Sequence, residues 1–249
     1  MSKIFCIANQ KGGVGKTTTA ISLSAGIARS GMKTLLVDLD PQCNATSGVG
    51  FAPMARHPLV TGEPIREFIQ QTEIENLEIL TGCRSFYDVE VMSKADAKRM
   101  DRMTVQLSQE LKGYDYVLID CPPSMGQLTR TALLWSTDVL IPIQCEYFAM
   151  EGLVQMLEVI RDVIFQRQGR LQFAGIVLTM YDPYLELTLE VDKEVRDFFG
   201  DDYVYRTVIP RDVALSEAPS YGKSIFEYAP RSRGARAYTE LCMEVLERV

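Results

Sequence analysis

The stretch that decides the fold is Lys11-Gly12-Gly13-Val14-Gly15-Lys16-Thr17-Thr18. It follows an apolar run at 4–8, typical of a buried strand, and it precedes a pattern that predicts a helix over 18–30. Glycines let backbone N–H groups point toward an anion, and the start of a helix adds partial positive charge. The order of strand, glycine-rich turn and helix therefore predicts a phosphate-binding loop rather than a turn that binds nothing.

The polar side chains of this loop have separate expected roles. Lys16 is placed to reach the terminal phosphates of a nucleotide, and the Thr17 hydroxyl to ligate Mg²⁺. The usual pattern has a glycine five residues before Gly15, where this chain has Gln10, and a second lysine, Lys11, lies inside the loop. The residues expected to bind the nucleotide here are Lys11, Gly12, Gly13, Val14, Gly15, Lys16, Thr17 and Thr18.

The form KGGVGKTT resembles the deviant Walker A ATPases, a group that includes the ParA and Soj partition proteins, the MinD cell-division regulators and the nitrogenase iron proteins. The resemblance implies a P-loop NTPase fold. This is an α/β fold, in which a mostly parallel twisted sheet carries helices on both faces. It also implies that Lys11 crosses a dimer interface to the phosphates of the partner's nucleotide, so that Lys11 acts in trans.

Two further segments place carboxylates at the ends of predicted buried strands. Residues 33–38 end in Asp38, which is followed by Asp40, and residues 116–120 end in Asp120. Ligands of an open parallel sheet lie beyond the carboxyl ends of its strands, so these aspartates are expected beside the phosphate loop. Taken alone, each could be an ordinary strand-end residue. Together with the phosphate loop, these two segments occur in the order and at the spacing expected of a magnesium–nucleotide site, and the sequence therefore favours such a site.

The residues around these aspartates extend the resemblance. Asp38-Leu39-Asp40-Pro41-Gln42 resembles the ParA switch segment, in which the residue matching Asp40 is needed for hydrolysis; the family commonly has glycine in place of Cys43. Asp120-Cys121-Pro122-Pro123-Ser124 resembles the Walker B motif and second switch. The resemblance implies hydrolysis of ATP to ADP and phosphate. The implied catalytic residues are Lys11, Lys16 and Asp40, and the implied Mg²⁺ site comprises Thr17, Asp40 and Asp120.

The second half of the chain carries further matches. Residues 144–152 resemble the ParA segment in which a glutamate, here Glu146, can touch the partner subunit's ribose. The loop 209–212 resembles the one that holds the adenine ring through backbone contacts, which implies contacts from Pro210, Arg211 and Asp212. The resemblance then covers the whole chain and predicts a single ATPase domain over 1–249, without an N-terminal helix-turn-helix module, as in the short Soj-like chromosomal proteins.

Shorter patterns between the motifs predict a helix over 64–71, a helix over about 95–112 and a strand over 203–208. Composition limits the class of protein. Six cysteines without a C-x-x-C pair predict reduced thiols in a cytoplasmic protein. The sequence has no apolar run of ~20 residues and no basic amphipathic tail, so no stable membrane anchor is expected.

The family resemblance implies an ATP-dependent homodimer that binds DNA without sequence preference, associates with the nucleoid and is activated by a ParB-like protein. Two features weaken the DNA assignment. The net charge is −7, and residues 196–236 carry seven basic against six acidic side chains. Soj-like proteins commonly have arginine where this chain has Tyr184 and Ala214.

Several alternatives therefore remain. Within the family they are ParA-like positioning of a protein cargo, with weak or altered DNA binding, and a MinD-like spatial regulator at the membrane, for which the anchor is missing. A nitrogenase-type reductase would need bridging cysteines that the scattered ones do not supply. A non-catalytic nucleotide-sensing scaffold is disfavoured by the presence of Lys16, Asp40 and Asp120.

Overall fold

The computed structural model describes residues 2–87, 105, 107, 111–147, 149–166 and 170–248. Its centre is a seven-stranded sheet. The strands are β1 (Lys3–Ile7), β2 (Thr34–Asp38), β3 (Ile69–Gln71), β4 (Leu77–Leu80), β5 (Tyr116–Asp120), β6 (Asp138–Gln144) and β7 (Gln172–Thr179). They lie in the order β3-β4-β2-β5-β1-β6-β7, and all neighbours are parallel except the edge strand β3, which is antiparallel to β4.

Helices lie between most of the strands in the described part of the chain. The α-helices of the described residues are α1 (Lys16–Arg29), α2 (Asn44–Gly48), α3 (Pro58–Thr61), α4 (Gln127–Trp135), α5 (Ala149–Gln166), α6 (Glu186–Phe199), α7 (Val213–Glu217), α8 (Ile225–Tyr228) and α9 (Arg233–Arg248). None of these helices is long and apolar enough to cross a membrane.

The sheet separates two apolar layers because successive side chains of a strand point to opposite faces. Leu36 and Leu118 pack in a layer with α1 and α9. Their neighbours Leu35 and Val117 pack in the opposite layer with α4 and α5. Strands buried on both faces read as continuous apolar runs, as the sequence of β5 does. The predicted fold, a mostly parallel sheet with helices on both faces, is confirmed.

This strand order brings the predicted site residues together. Strand β5 lies between β1 and β2, and Asp120 at its end is paired in register with Ile7 of β1 and Asp38 of β2. The loop that follows β1 and the segment that follows β2 therefore leave the sheet on either side of Asp120. Three motifs distant in sequence meet at one edge of the sheet, at its carboxyl ends.

Two of the shorter predictions are wrong. The helix predicted over 64–71 is a 3-10 turn at Ile65–Phe68, followed by strand β3. Gln70 and Gln71 pair with β4, and this pairing at the sheet edge outweighs the weak helical pattern of a short segment.

The strand predicted over 203–208 forms only an isolated bridge, between Val204 and Ile176. The N–H groups of Arg206 and Thr207 instead donate to the Glu244 carboxylate of α9, at 2.9 and 3.0 Å. The helix predicted over about 95–112 falls mainly outside the described residues.

Candidate nucleotide and magnesium site

The phosphate loop has the backbone geometry that its glycines allow. Gly13 and Gly15 have φ of 76° and 85°, in the left-handed region that residues with a Cβ rarely adopt. Helix α1 begins at Lys16, two residues earlier than predicted, so Lys16, Thr17 and Thr18 lie in its first turn. The unpaired N–H groups of this turn and the helix dipole favour an anion.

Two side chains that the sequence analysis missed hold this loop in place. The Asn9 amide donates to the Pro142 carbonyl oxygen at 2.8 Å, and its oxygen accepts from the Lys11 N–H at 3.0 Å. Asn9 could have been sought among the polar residues at strand ends, since it follows β1.

The second anchor is Thr179, the last residue of β7. Its hydroxyl lies 2.9 Å from the carbonyl oxygens of both Val14 and Ile143, so it joins the loop to β6. The phosphate loop is thus fixed from the sheet at both of its sides.

Lys16 lies at the bottom of the loop, only 6% exposed. Its ammonium donates to the Lys11 carbonyl oxygen at 2.8 Å, across the loop. Burial lowers the pKa of Lys16, while the charges of Asp120 and Asp40 act in the opposite direction. The lysine is therefore held where a phosphate bound in the loop would complete its coordination.

Asp120 is completely buried and has one satisfied oxygen. Thr17 Oγ1 donates to Asp120 Oδ2 at 2.7 Å, whereas Oδ1 has no hydrogen-bond partner within the described part of the chain. Burial, followed by the charge of Asp38, raises the pKa of Asp120 well above its usual range. A nearby divalent cation would reverse that penalty by favouring the charged form.

These donors fit Mg²⁺. The described residues contain no group of three or more His, Cys, Asp or Glu side chains that could hold a metal. Mg²⁺ does not need one, because it keeps several waters and uses one or two carboxylates together with substrate phosphates. The open Asp120 Oδ1 and the Thr17 hydroxyl supply hard oxygen ligands of that kind beside the phosphate loop.

The segment after β2 forms two successive side-chain turns. Asp38 Oδ1 accepts from the Asp40 N–H at 3.0 Å, and Asp40 Oδ1 accepts from the Gln42 N–H at 2.8 Å. Cys43, where the family commonly has glycine, adopts a left-handed φ of 56° before α2 begins. Asp40 is 5% exposed, and its charge acts on Lys16.

Lys11 and Glu146 meet within the single chain. The Lys11 ammonium lies 2.5 Å from Glu146 Oε2, although the residues are far apart in sequence. Both side chains are partly exposed, at 35% and 44%. The lysine expected to act in trans is thus held in cis, by the glutamate expected to contact a partner.

The loop 209–212 lies beside the end of β7. Pro210 is bridged to Tyr181, two residues after Thr179. The Asp212 carboxylate accepts from the Ala214 and Gly234 N–H groups at 3.0 and 2.8 Å, and the Arg211 carbonyl accepts from Arg233 at 3.2 Å. The Asp212 side chain therefore fixes the loop to α7 and α9.

Tyr184 and Ala214, the two positions at which Soj-like proteins commonly have arginine, differ in environment. Tyr184 is 92% exposed, while Ala214 is partly buried against the core. A cavity of about 900 Å³ beside Tyr184 is lined by three basic side chains, Arg211, Arg233 and Arg236, and by the acidic Asp182 and Glu240. The basic side chains of this surface are therefore accompanied by acidic ones.

The parallel sheet, the glycine-rich loop at its carboxyl edge and the Thr17–Asp120 pair define a P-loop nucleotide-binding ATPase. Residues 2–173 match the family AAA_31, described as AAA domain. The chain is 45% identical to the sporulation initiation inhibitor protein Soj of Bacillus subtilis, covering 98% of each chain. It is 41% identical to the chromosome partitioning protein ParA of Myxococcus xanthus, covering 100% of this chain and 89% of that one.

Among solved structures, cobyrinic acid a,c-diamide synthase from Mycobacterium smegmatis with bound ADP and magnesium superimposes with a TM-score of 0.84, at 31% identity, over 99% of this chain and 95% of that chain. The chain belongs to the ParA/Soj family of partition ATPases. It hydrolyses ATP to ADP and phosphate. The solved relative from Mycobacterium smegmatis holds ADP and magnesium.

Proposed function

We propose that this ATPase is an ATP-dependent dimerising switch that acts in chromosome or plasmid partition. A ParB-like protein would stimulate hydrolysis, and the ATP-bound dimer would bind DNA without sequence preference at the nucleoid. The observation that carries the proposal is the difference between the two lysines of the phosphate loop. Lys16 is buried at the base of the loop, where the phosphates of its own subunit's nucleotide would bind, whereas Lys11 is partly exposed at the loop's edge, where a second subunit's nucleotide could reach it.

The proposed chemistry depends on positioning and charge neutralisation. Bound Mg²⁺ would supply positive charge at the β- and γ-phosphates, held by Thr17, Asp120 and Asp40. Lys16 binds the phosphates of its own subunit, and Lys11 is released from Glu146 to bind those of the partner. Asp40 orients the attacking water. The loop 209–212 holds the adenine by its backbone, and Glu146 then contacts the partner's ribose.

The mass of the protein in solution tests the switch. With a non-hydrolysable ATP analogue and Mg²⁺, light scattering is expected to give twice the mass of one chain, and with ADP and Mg²⁺ the mass of one chain. The two nucleotides differ only at the γ-phosphate, so the pair controls for binding itself. A protein that stays single with the analogue, although it binds it, contradicts the proposal.

A DNA titration of the analogue-bound form separates partition from the second candidate function. Binding that weakens steeply between two salt concentrations supports partition, because each neutralised phosphate releases counterions. The double substitution Tyr184→Arg and Ala214→Arg adds four charges per dimer, so the slope of log K against log salt should steepen by up to about 3.6. No binding at low salt would instead support the positioning of a protein cargo.

A further inference from the structure

Asp38 is a buried carboxylate for which the proposed chemistry has no direct use. It is completely buried at the end of β2, and the donors that the structure gives it are neutral. It is also paired in register with Asp120, a second buried acid. Burying a carboxylate without an opposite charge costs stability, so its retention calls for another reason.

The hydrogen bonds of Asp38 reach both the switch segment and helix α2. Oδ1 accepts from the Asp40 N–H at 3.0 Å, and Oδ2 accepts from the Thr46 N–H at 2.8 Å and the Thr46 hydroxyl at 2.6 Å. The Thr46 oxygen in turn accepts from the Gly82 N–H at 2.7 Å. One carboxylate thus connects the turn that carries Asp40, the start of α2 and the segment after β4.

The space around this carboxylate is closed. A Cβ added at Gly82 would lie 3.0 Å from Asp38 Cγ, 3.1 Å from Asp38 Oδ2 and 3.1 Å from Cys43 Sγ. A side chain therefore does not fit at Gly82, and the orientation of the carboxylate is held by its three donors, from Asp40 and Thr46. Because Oδ1 then points at the Asp40 N–H, the position of Asp40 relative to the phosphate loop follows from that orientation.

We propose that Asp38 is a positioning residue for ATP hydrolysis, which acts through its hydrogen bond to the backbone of Asp40 and through the Asp38–Thr46–Gly82 connection. This inference rests on the proposed role of Asp40. Asp38 sets where the Asp40 carboxylate lies when water attacks, and it contributes little to nucleotide affinity.

A double-mutant cycle tests the inference. Asp38→Asn keeps the size of the side chain and one acceptor for Thr46, but it turns an NH₂ group toward the Asp40 N–H. We expect kcat to fall about tenfold or more, with KM for ATP within about twofold and with accumulation of the ATP-bound dimer. In an Asp40→Ala background, measured by single-turnover hydrolysis over hours, Asp38→Asn should have no further effect.

The outcomes separate the inference from the proposed function. If Asp40→Ala hydrolyses ATP at the wild-type rate, the role of Asp40 falls, and the inference with it. If Asp40→Ala is slow but Asp38→Asn keeps the wild-type kcat, or slows Asp40→Ala further, only the inference is overturned. A raised KM with an unchanged kcat would overturn it too, since Asp38 would then act in binding.

Thr46 gives an independent test that does not alter a charge. Thr46→Val removes the hydroxyl that joins Asp38 to Gly82, and should lower kcat without changing KM; Thr46→Ser restores the hydroxyl and should restore kcat. The matched control is Asp115→Asn, at the opposite end of the sheet, whose carboxylate accepts from the Lys33 N–H at 2.8 Å. That variant should keep the wild-type kcat. Equal kcat in the Val and Ser variants would overturn the inference.

Discussion

The nucleotide site has two regions that differ in how complete a single chain leaves them. The site floor, which comprises Lys16, Thr17 and Asp120, is built within the chain: Lys16 and Asp120 are buried, and the Thr17 hydroxyl and the Lys16 ammonium have partners. The site rim, which comprises Lys11, Gly12 and Glu146, is exposed or partly exposed.

This comparison indicates which step each region serves. In the proposed mechanism the floor needs only a nucleotide and Mg²⁺, so we expect one chain to bind them alone. The rim carries an ion pair in partial contact with water, and such pairs contribute about 0–1 kcal/mol. An interaction this weak could be exchanged for a phosphate of a second subunit, and the proposed mechanism therefore couples dimerisation to the nucleotide at the rim.

Breaking the floor should have the largest effect. Lys16→Ala removes the buried cation next to Asp120 and the phosphates, and we expect kcat/KM for ATP to fall about 10³-fold. Fluorescent ADP should also bind more weakly. The control is Lys33→Ala, an exposed lysine at the other end of the sheet, which should leave both measurements unchanged. Normal turnover by Lys16→Ala would remove this lysine from the site.

Blocking the rim should affect assembly alone. In the single chain a Cβ at Gly12 would meet no atom within 4 Å, so Gly12→Val should fold normally and bind ATP within about twofold of wild type. The added side chain would lie where the proposed dimer brings two subunits together, so dimerisation with the ATP analogue should be lost in sedimentation experiments. Gly12→Ala should give a smaller loss. Full dimerisation of the valine variant contradicts the rim assignment.

The smallest expected effect is a change with pH in the stability of the folded protein, caused by the Asp38 carboxylate beside the floor. Burial raises the pKa of Asp38 from its ordinary value of 3.8 to about 6. The folded chain thus holds this proton more tightly than the unfolded chain, so this group's contribution makes the nucleotide-free protein less stable as pH rises from about 4 to about 6. Asp38→Asn lacks that contribution. The difference in Tm between wild type and variant should change over this range, and identical pH profiles would contradict the shift.

The sequence predicted the floor because its geometry is local or follows from strand order. Glycines mark the left-handed positions of the loop, and parallel strands that end in aspartate converge at one edge. The pairing of Lys11 with Glu146 and the bonds of Asp38 to Thr46 depend on side-chain positions across the folded sheet, which no spacing in the sequence encodes.

The wrong secondary-structure predictions also result from contacts between residues that are distant in sequence. Residues 203–208 have the apolar pattern of a strand, but the Glu244 carboxylate of the last helix takes the N–H groups that a ladder would use. Tertiary partners decided the conformation of a segment whose local preference was strand.

Thr179 fixes the backbone shape of the phosphate loop, and this affects the loop's affinity for an anion. Its single hydroxyl lies between the carbonyls of Val14 and Ile143, which fastens the curved backbone to the neighbouring strand. A loop that is already fixed in its curved shape loses little conformational entropy when an anion binds. The smaller entropy loss increases the affinity for the anion. The fold thus pre-organises the loop before a ligand binds.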